Sequence, residues 1–237
     1  DFCLSRGLGD VYKRQIYGRP VVESRAFKDG YVSIQDKSSM FVAEILAPSE
    51  GEMILDACSA PGGKACQTAE LLQGTGQVDA TDIHEHKIEL IEHNIKKLRL
   101  NNVHAFQHDA TQPYDKKYDK ILVDAPCSGL GVLRHKPEIK YAQTKDTVDG
   151  LVELQLKIMN NIKDFVKPGG VIVYSTCTIE QMENENVIYT FLKQNKDFEF
   201  EPFSHPRTGE KVKTLQILPQ DFNSDGFFIT KIRRKEN

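Results

Sequence analysis

One stretch constrains this chain more than any other: residues 53–64, Met-Ile-Leu-Asp-Ala-Cys-Ser-Ala-Pro-Gly-Gly-Lys. Met53, Ile54 and Leu55 read as a short buried strand that Asp56 ends. Pro61, Gly62 and Gly63 turn the chain, and Lys64 opens a helical pattern. Open parallel sheets hold nucleotide-like ligands where a strand runs through a glycine turn into a helix. Glycine lets the backbone approach the ligand, and the helix start offers free N–H groups.

The remaining pattern alternates. Apolar strand-like runs at 53–56, 77–81, 103–107, 119–123 and 171–175 are separated by helical periodicity at 64–72, 84–98 and 146–165, and a helix over 180–194 follows. Loop 110–117 and a long loop at 128–145 interrupt it, and Pro168-Gly169-Gly170 punctuates the chain before 171. Strands separated by helices imply right-handed crossovers and a mainly parallel sheet with helices on both faces. The closely spaced runs at 198–203, 214–218 and 226–232 predict antiparallel pairing at a C-terminal edge. Upstream, Asp36 or Ser38 is placed to cap a helix over 38–46 that packs on the sheet, and Pro48 and Gly51 stop it. Residues 1–15 lack periodicity, and Cys3 to Gln15 resembles translated sequencing adapter. The expectation is a non-native leader on a chain truncated at its start, followed by a linker with its packing helix at 16–50 and the main domain at 51–237.

Bulk composition narrows the function classes. The 237 residues can bury one substantial core. No apolar run reaches the roughly 20 residues a bilayer span needs. Five cysteines with no CxxC pair argue against a disulfide framework or a zinc site and fit a reduced cytoplasm. The seven histidines show no metal spacing. A net charge of −3 does not advertise a nucleic-acid binder.

Four aspartates, Asp56, Asp82, Asp109 and Asp124, fall at the ends of successive strands, which in such a sheet line one crevice. Each alone reads equally well as a cap or turn former. Four at one edge favour a nucleoside-containing ligand, and Asp82 lies at the spacing from Gly62 at which an acid reaches ribose hydroxyls. The loop lacks both GxGxxG and the phosphate-loop spacing, which leaves a ribose-and-adenine ligand without phosphates; S-adenosylmethionine fits. Lys64 follows the turn directly and is a candidate to reach the site, although a solvated lysine is the commoner case.

Cys127 lies in Asp-Ala-Pro-Cys-Ser-Gly after the fourth strand, and Cys177 in Ser-Thr-Cys-Thr after the fifth. Adjacent strands put both thiols over the same crevice, beside helix starts that could lower a thiol pKa. Cys58 and Cys66 read as ordinary buried thiols. A thiolate beside a methyl donor suggests attack on C6 of a pyrimidine, which makes C5 nucleophilic enough to accept a methyl group. A carboxyl at the ring's N3/N4 edge would stabilise the developing charge, and Asp124 is placed for it. Spacing leaves open which thiol attacks.

At these residues the chain resembles the RNA cytosine-C5 methyltransferases, most closely the bacterial small-subunit rRNA enzymes of the Sun/Fmu (RsmB) type. The likeness rests on 56–64, Asp82, His108-Asp109-Ala110, 124–129, Arg134 to Pro137, Pro168-Gly169-Gly170, 175–178 and Asp225-Gly226-Phe227-Phe228, and it covers about residues 30 to 233. It implies a Rossmann-like class I methyltransferase domain with a seven-stranded, mostly parallel sheet, acting as a monomer. It implies S-adenosylmethionine contacts from Cys58, Ser59, Ala60, Pro61, Gly62, Gly63 and Lys64, together with Asp82, Asp109 and Asp124. Cys177 would be the nucleophile and Cys127 would assist product release, with Asp124 and Lys64 alongside. RNA, most closely small-subunit rRNA, would be the substrate, with Arg134, His135 and Lys136 touching phosphate. Such relatives carry an N-terminal helical domain similar to the antitermination factor NusB, plus an RNA-binding segment, and the expectation is that these are missing or mostly missing from a chain truncated at its start. Other classes stay open: another RNA such as tRNA, a nitrogen or oxygen methyltransferase, or a non-catalytic RNA-binding factor on this fold.

Overall fold

The computed structural model describes residues 2–4, 15, 16 and 19–236. Most of the expected leader therefore lies outside the described residues; within it, Phe2–Leu4 pairs antiparallel with Ile34–Asp36. One sheet organises the rest. Its strands are β1 (Met53–Asp56), β2 (Gln77–Asp82), β3 (Val103–Gln107), β4 (Tyr118–Asp124), β5 (Val166–Thr176), β6 (Phe198–Phe200), β7 (Thr214–Ile217) and β8 (Phe227–Arg234). The order runs β3-β2-β1-β4-β5-β8-β6, with β7 sharing the outer edge of β8. The pairs from β3 through β5 are parallel, and β8 lies antiparallel to β5, β6 and β7. The expected seven-strand path is present, and β7 adds an eighth strand. The direction of travel reverses between β1 and β4, so a crevice opens at their carboxyl ends.

The helices are α1 (Lys37–Leu46), α2 (Gly63–Leu71), α3 (Glu85–Leu98), α4 (Lys145–Ile162) and α5 (Glu185–Gln194). Asp36 caps α1 by accepting the Ser38 N–H at 2.9 Å. Strand alternation divides the core between two faces. Leu55, Ile121, Val123, Ile172 and Tyr174 pack against Ile158, Met159 and Ile162 of α4 and Val187, Ile188 and Phe191 of α5. Ile54, Leu122, Val173 and Ile229 meet Val42 and Leu46 of α1, Ala65 and Ala69 of α2 and Ile88 and Ile91 of α3. Each large side chain so buried contributes about 1.5–3 kcal/mol before entropy is counted.

Two boundaries differ from the sequence reading. Pro168-Gly169-Gly170 does not precede the fifth strand but lies inside it, where the register against β4 shifts and Gly169 takes φ +74°. Helix α5 begins at Glu185 rather than 180, because Glu183 and Asn184 are held by other bonds.

Candidate active site

The turn after β1 is pinned to both neighbouring strands. The Ala57 N–H donates to the Leu122 carbonyl of β4 at 3.0 Å, and the Ser59 N–H to Thr81 of β2 at 2.8 Å. Gly62 closes the turn on the Ser59 carbonyl at 2.7 Å with φ +98°. A Cβ at that position would sit 3.1 Å from Ile91 Cγ2, so the turn and α3 require glycine there. Helix α2 then starts without a side-chain cap, leaving its first N–H groups free at the crevice.

Asp56 lies under this turn, 1% exposed, and neither carboxyl oxygen has a hydrogen-bond partner. Burial, followed by the charge of Asp124, raises its pKa from 3.8 to about 7. Lys64, the Ser59 hydroxyl and the Cys58 N–H pull the other way, the last two without reaching hydrogen-bond geometry on its oxygens. The buried Ser59 hydroxyl is likewise unpartnered. At the next strand end, Asp82 accepts the His84 N–H at 3.1 Å and lies 3.4 Å from Lys87 Nζ, with half-exposed Ile83 beside it. Asp109 turns back on Thr111, accepting its N–H at 2.9 Å and its hydroxyl at 2.8 Å.

Lys64 is not solvated. Its ammonium donates to Asp124 Oδ2 at 2.7 Å and lies 5.3 Å from the centre of the Phe227 ring. Burial works against the charge, but Asp124 and then Asp56 outweigh it and the lysine pKa rises. The other Asp124 oxygen accepts the Ser175 hydroxyl at 2.8 Å.

The two expected thiols converge: Cys127 Sγ and Cys177 Sγ are 3.3 Å apart, both half-buried. Their pKa values part in opposite directions. The contact with Cys177, and then burial, holds the Cys127 thiol well above its ordinary value. The same contact lowers Cys177, helped by Lys64 and opposed by burial and Asp124. Cys177 is thus the more acidic of the two sulfurs. The expected cause was different. No helix begins directly after either thiol along the chain, because 178–180 are irregular, 181–184 are turns, and the chain after Cys127 becomes helical only at Ile139–Ala142. A neighbouring sulfur and an ammonium replace the helix terminus. Cys66 is inert, buried and pushed up to about 12, and burial also drives Cys58 upward.

Several residues that the sequence reading passed over hold these loops. Glu183 is fully buried and accepts from the Ser128 N–H at 2.8 Å, the Ser128 hydroxyl, and Gln155 Nε2 at 3.1 Å. Gln155 also donates to the Pro126 carbonyl at 2.9 Å. Gly131 donates to the Cys177 carbonyl at 3.0 Å and accepts from the Gly226 N–H at 2.9 Å. A Cβ on Gly131 would fall 2.0 Å from the Gly226 carbonyl oxygen and 2.8 Å from that of Cys177. A glutamine on the buried face of an otherwise apolar helical pattern was the one legible signal for this network.

The basic loop is only partly available. Arg134 donates to the Ser224 carbonyl at 3.1 Å and His135 lies 3.3 Å from Asp225, so both tie down the turn before β8; Lys136 is exposed. A second cleft, of about 410 Å³, opens at the opposite edge of the sheet. Two of its cations are matched within the cleft, Lys120 to Glu52 at 3.0 Å and Lys167 to Asp119 at 2.7 Å. Among the described residues no metal-ligand cluster exists, and no helix is long and apolar enough to cross a membrane.

Known proteins resemble the chain over this same region. The profile of the family described as 16S rRNA methyltransferase RsmB/F matches residues 43–233. The Bacillus subtilis (strain 168) protein named "Probable ribosomal RNA small subunit methyltransferase B" is 46% identical over 219 residues, 88% of this chain and 49% of that protein. The chain spans about half the length of the curated relatives it matches. Among solved structures, NSun6 from Pyrococcus horikoshii with SFG superposes with a TM-score of 0.82 at 33% identity, over 92% of this chain and 57% of that one. PH0851 gives a TM-score of 0.84 at 29% identity, over 89% and 49%.

Proposed function

The chain belongs to the 16S rRNA methyltransferase RsmB/F family, and from that premise we propose that residues 51–237 form an S-adenosylmethionine-dependent domain that methylates C5 of a cytosine in small-subunit rRNA. The observation that carries the chemistry is the pair of sulfurs 3.3 Å apart, one lowered and one raised, beside the Lys64–Asp124 pair.

The crevice fits the cofactor. Buried acceptors without partners, Asp56 and the Ser59 hydroxyl, sit beneath a turn whose helix N–H groups are free, and suit a ligand that brings both cationic and carboxylate ends. Cys58 to Lys64 would line it, Asp82 would take the ribose hydroxyls, and Ile83 would offer an apolar face to the base. Asp109 would support that edge. When bound, S-adenosylmethionine supplies an electrophilic methyl group.

The chain's own residues do the rest. The Cys177 thiolate adds to C6 of the cytosine, and the electron pair of the C5–C6 double bond moves toward C5 and the N3 edge. Asp124, held by Lys64 and Ser175, would hydrogen-bond the N3/N4 edge of the ring, with the Lys64 ammonium beside it to offset the developing charge. Once C5 carries the methyl group, its proton passes to a base, the C6–S bond breaks, and Cys177 leaves as thiolate. Cys127 would assist this release. Lys136, with the exposed parts of Arg134 and His135, would meet phosphate.

RNA containing 5-fluorocytosine tests the reading, because fluorine at C5 prevents release. A gel-stable adduct that is lost in Cys177→Ala and kept in Cys127→Ala is expected. Loss in Cys127→Ala alone would exchange the two roles. Cofactor binding with no adduct on any RNA would overturn C5 chemistry in favour of a nitrogen or oxygen methyltransferase or a non-catalytic factor.

A further inference from the structure

Cys127 and Cys177 are 50 positions apart in the chain and belong to separate loops, yet their sulfurs touch. Two flexible loops do not hold such a contact on their own, since ordering each residue costs about 1–2 kcal/mol. Besides the direct bond from the Gly131 N–H to the Cys177 carbonyl, two bonds that span the loops converge on one side chain. Glu183 lies six residues after Cys177 and accepts both the N–H and the hydroxyl of Ser128, the residue next to Cys127. The Ser128 oxygen in turn meets the Thr178 hydroxyl at 2.8 Å, beside Cys177. Gln155 reaches up from α4 to Glu183 and to the Pro126 carbonyl, so the residues on both sides of Cys127 are tied to the same carboxyl group. The main chain of Glu183 is fixed separately, its carbonyl accepting the Tyr174 hydroxyl at 2.7 Å.

We propose that Glu183 is a positioning residue: its buried carboxyl group couples the Cys127 loop to the Cys177 loop and sets the spacing at which one sulfur donates to the other. The inference rests on the reading of Cys177 as nucleophile for its catalytic meaning, but not for its geometry. A residue that only stabilised the fold would change melting and leave the thiols alone. A positioning residue changes the thiol itself, because the S–H donor that favours the Cys177 thiolate moves away. The other charges facing Cys177 are Asp124 and Lys64, and neither touches Glu183 in the described bonding.

The test uses the full chain and iodoacetamide, with alkylation of the Cys177 peptide followed by mass spectrometry across pH 6–10. In Glu183→Ala the midpoint for Cys177 is expected to rise by about one pH unit, as expected for losing a hydrogen bond to a charged acceptor. The rate of adduct formation with 5-fluorocytosine RNA is expected to fall about tenfold, matching that shift. Glu183→Gln can still accept from Ser128 N–H and Gln155 while donating to the Ser128 hydroxyl, so it is expected to recover both readouts to within about threefold. Ser128→Ala removes a single oxygen and decides the matter if Glu183→Ala does not fold; its midpoint is expected to rise by about half a unit. A folded Glu183→Ala or Ser128→Ala whose melting falls while the Cys177 profile stands still would overturn the proposal. Should the unaltered chain form no adduct, the C5 reading fails, and the alkylation profiles still decide the role of Glu183.

Discussion

At the thiol end of the cleft, Glu183 meets three donors in the dry interior; at the other end, both oxygens of Asp56 and the hydroxyl of Ser59 are equally buried and meet none. The two ends lie over neighbouring strands of one sheet, so position does not account for the contrast. The thiol end is completed by the chain itself. The end under the glycine turn is left for something else to complete, because a buried polar group without a partner costs free energy that a ligand can recover. On the proposed function, the thiol geometry is built in before substrate arrives, whereas cofactor affinity would be held in acceptors that wait for it.

The sharpest way to break this contrast is at the preassembled end. Cys177→Ala is expected to abolish the fluorocytosine adduct and lower methylation by more than about 10³-fold, measured with labelled cofactor, while cofactor binding by calorimetry stays within about twofold. Loss of cofactor binding in that variant would join the two ends into one unit.

Asp56 tests the unfinished end. Its native pKa, near 7, lies above the 3.8 of an ordinary aspartate, so the native state keeps a proton that the unfolded chain has already lost. Stability is therefore expected to fall as pH rises from about 4 to about 7, by on the order of 2–4 kcal/mol from this group. Asp56→Asn removes that loss. It should melt higher than the unaltered chain at pH 8, by an amount that vanishes near pH 4, and it should bind S-adenosylmethionine more weakly. Equal melting of the two proteins at pH 8 would show that Asp56 is not strained.

Smaller effects sharpen the boundary between the ends. Gly131→Ala forces a methyl group against the carbonyls of Gly226 and Cys177 and is expected to cost about 1–3 kcal/mol in denaturant unfolding, with Cys177 alkylated at an altered rate. Lys64→Met removes the cation that bridges the ends. The Cys177 alkylation midpoint should rise by about one unit, since Asp124 then faces the sulfur uncompensated. An unchanged midpoint would confine Lys64 to the cofactor end.

The sheet, its crevice and the two reactive cysteines were legible because each leaves a local mark. Alternating and helical periods marked β1 to β5 and the helices between them, and glycine and proline marked the turn after β1. What left no local mark involved partners distant in sequence. Lys64 was a candidate for the site, but its bond to Asp124, 60 positions away, was not legible. Arg134 and His135 were candidates for phosphate, and their bonds to the Ser224–Asp225 turn were not legible. Residues 180–184 carried helical periodicity, yet Glu183 and Asn184 bond to the thiol loops and hold the chain out of the helix.

Short-range pattern alone determined that this chain forms a parallel sheet with a glycine turn and places Cys127 and Cys177 at neighbouring strand ends, because periodicity and turn chemistry act over a few residues. Tertiary structure alone decided that the two thiols differ, Cys177 lowered and Cys127 raised. That difference depends on a contact of 3.3 Å between loops 50 positions apart and on an ammonium from a third element. Electrostatic and hydrogen-bond energies change over ångströms, and the chain sets distances of that kind only when it closes on itself.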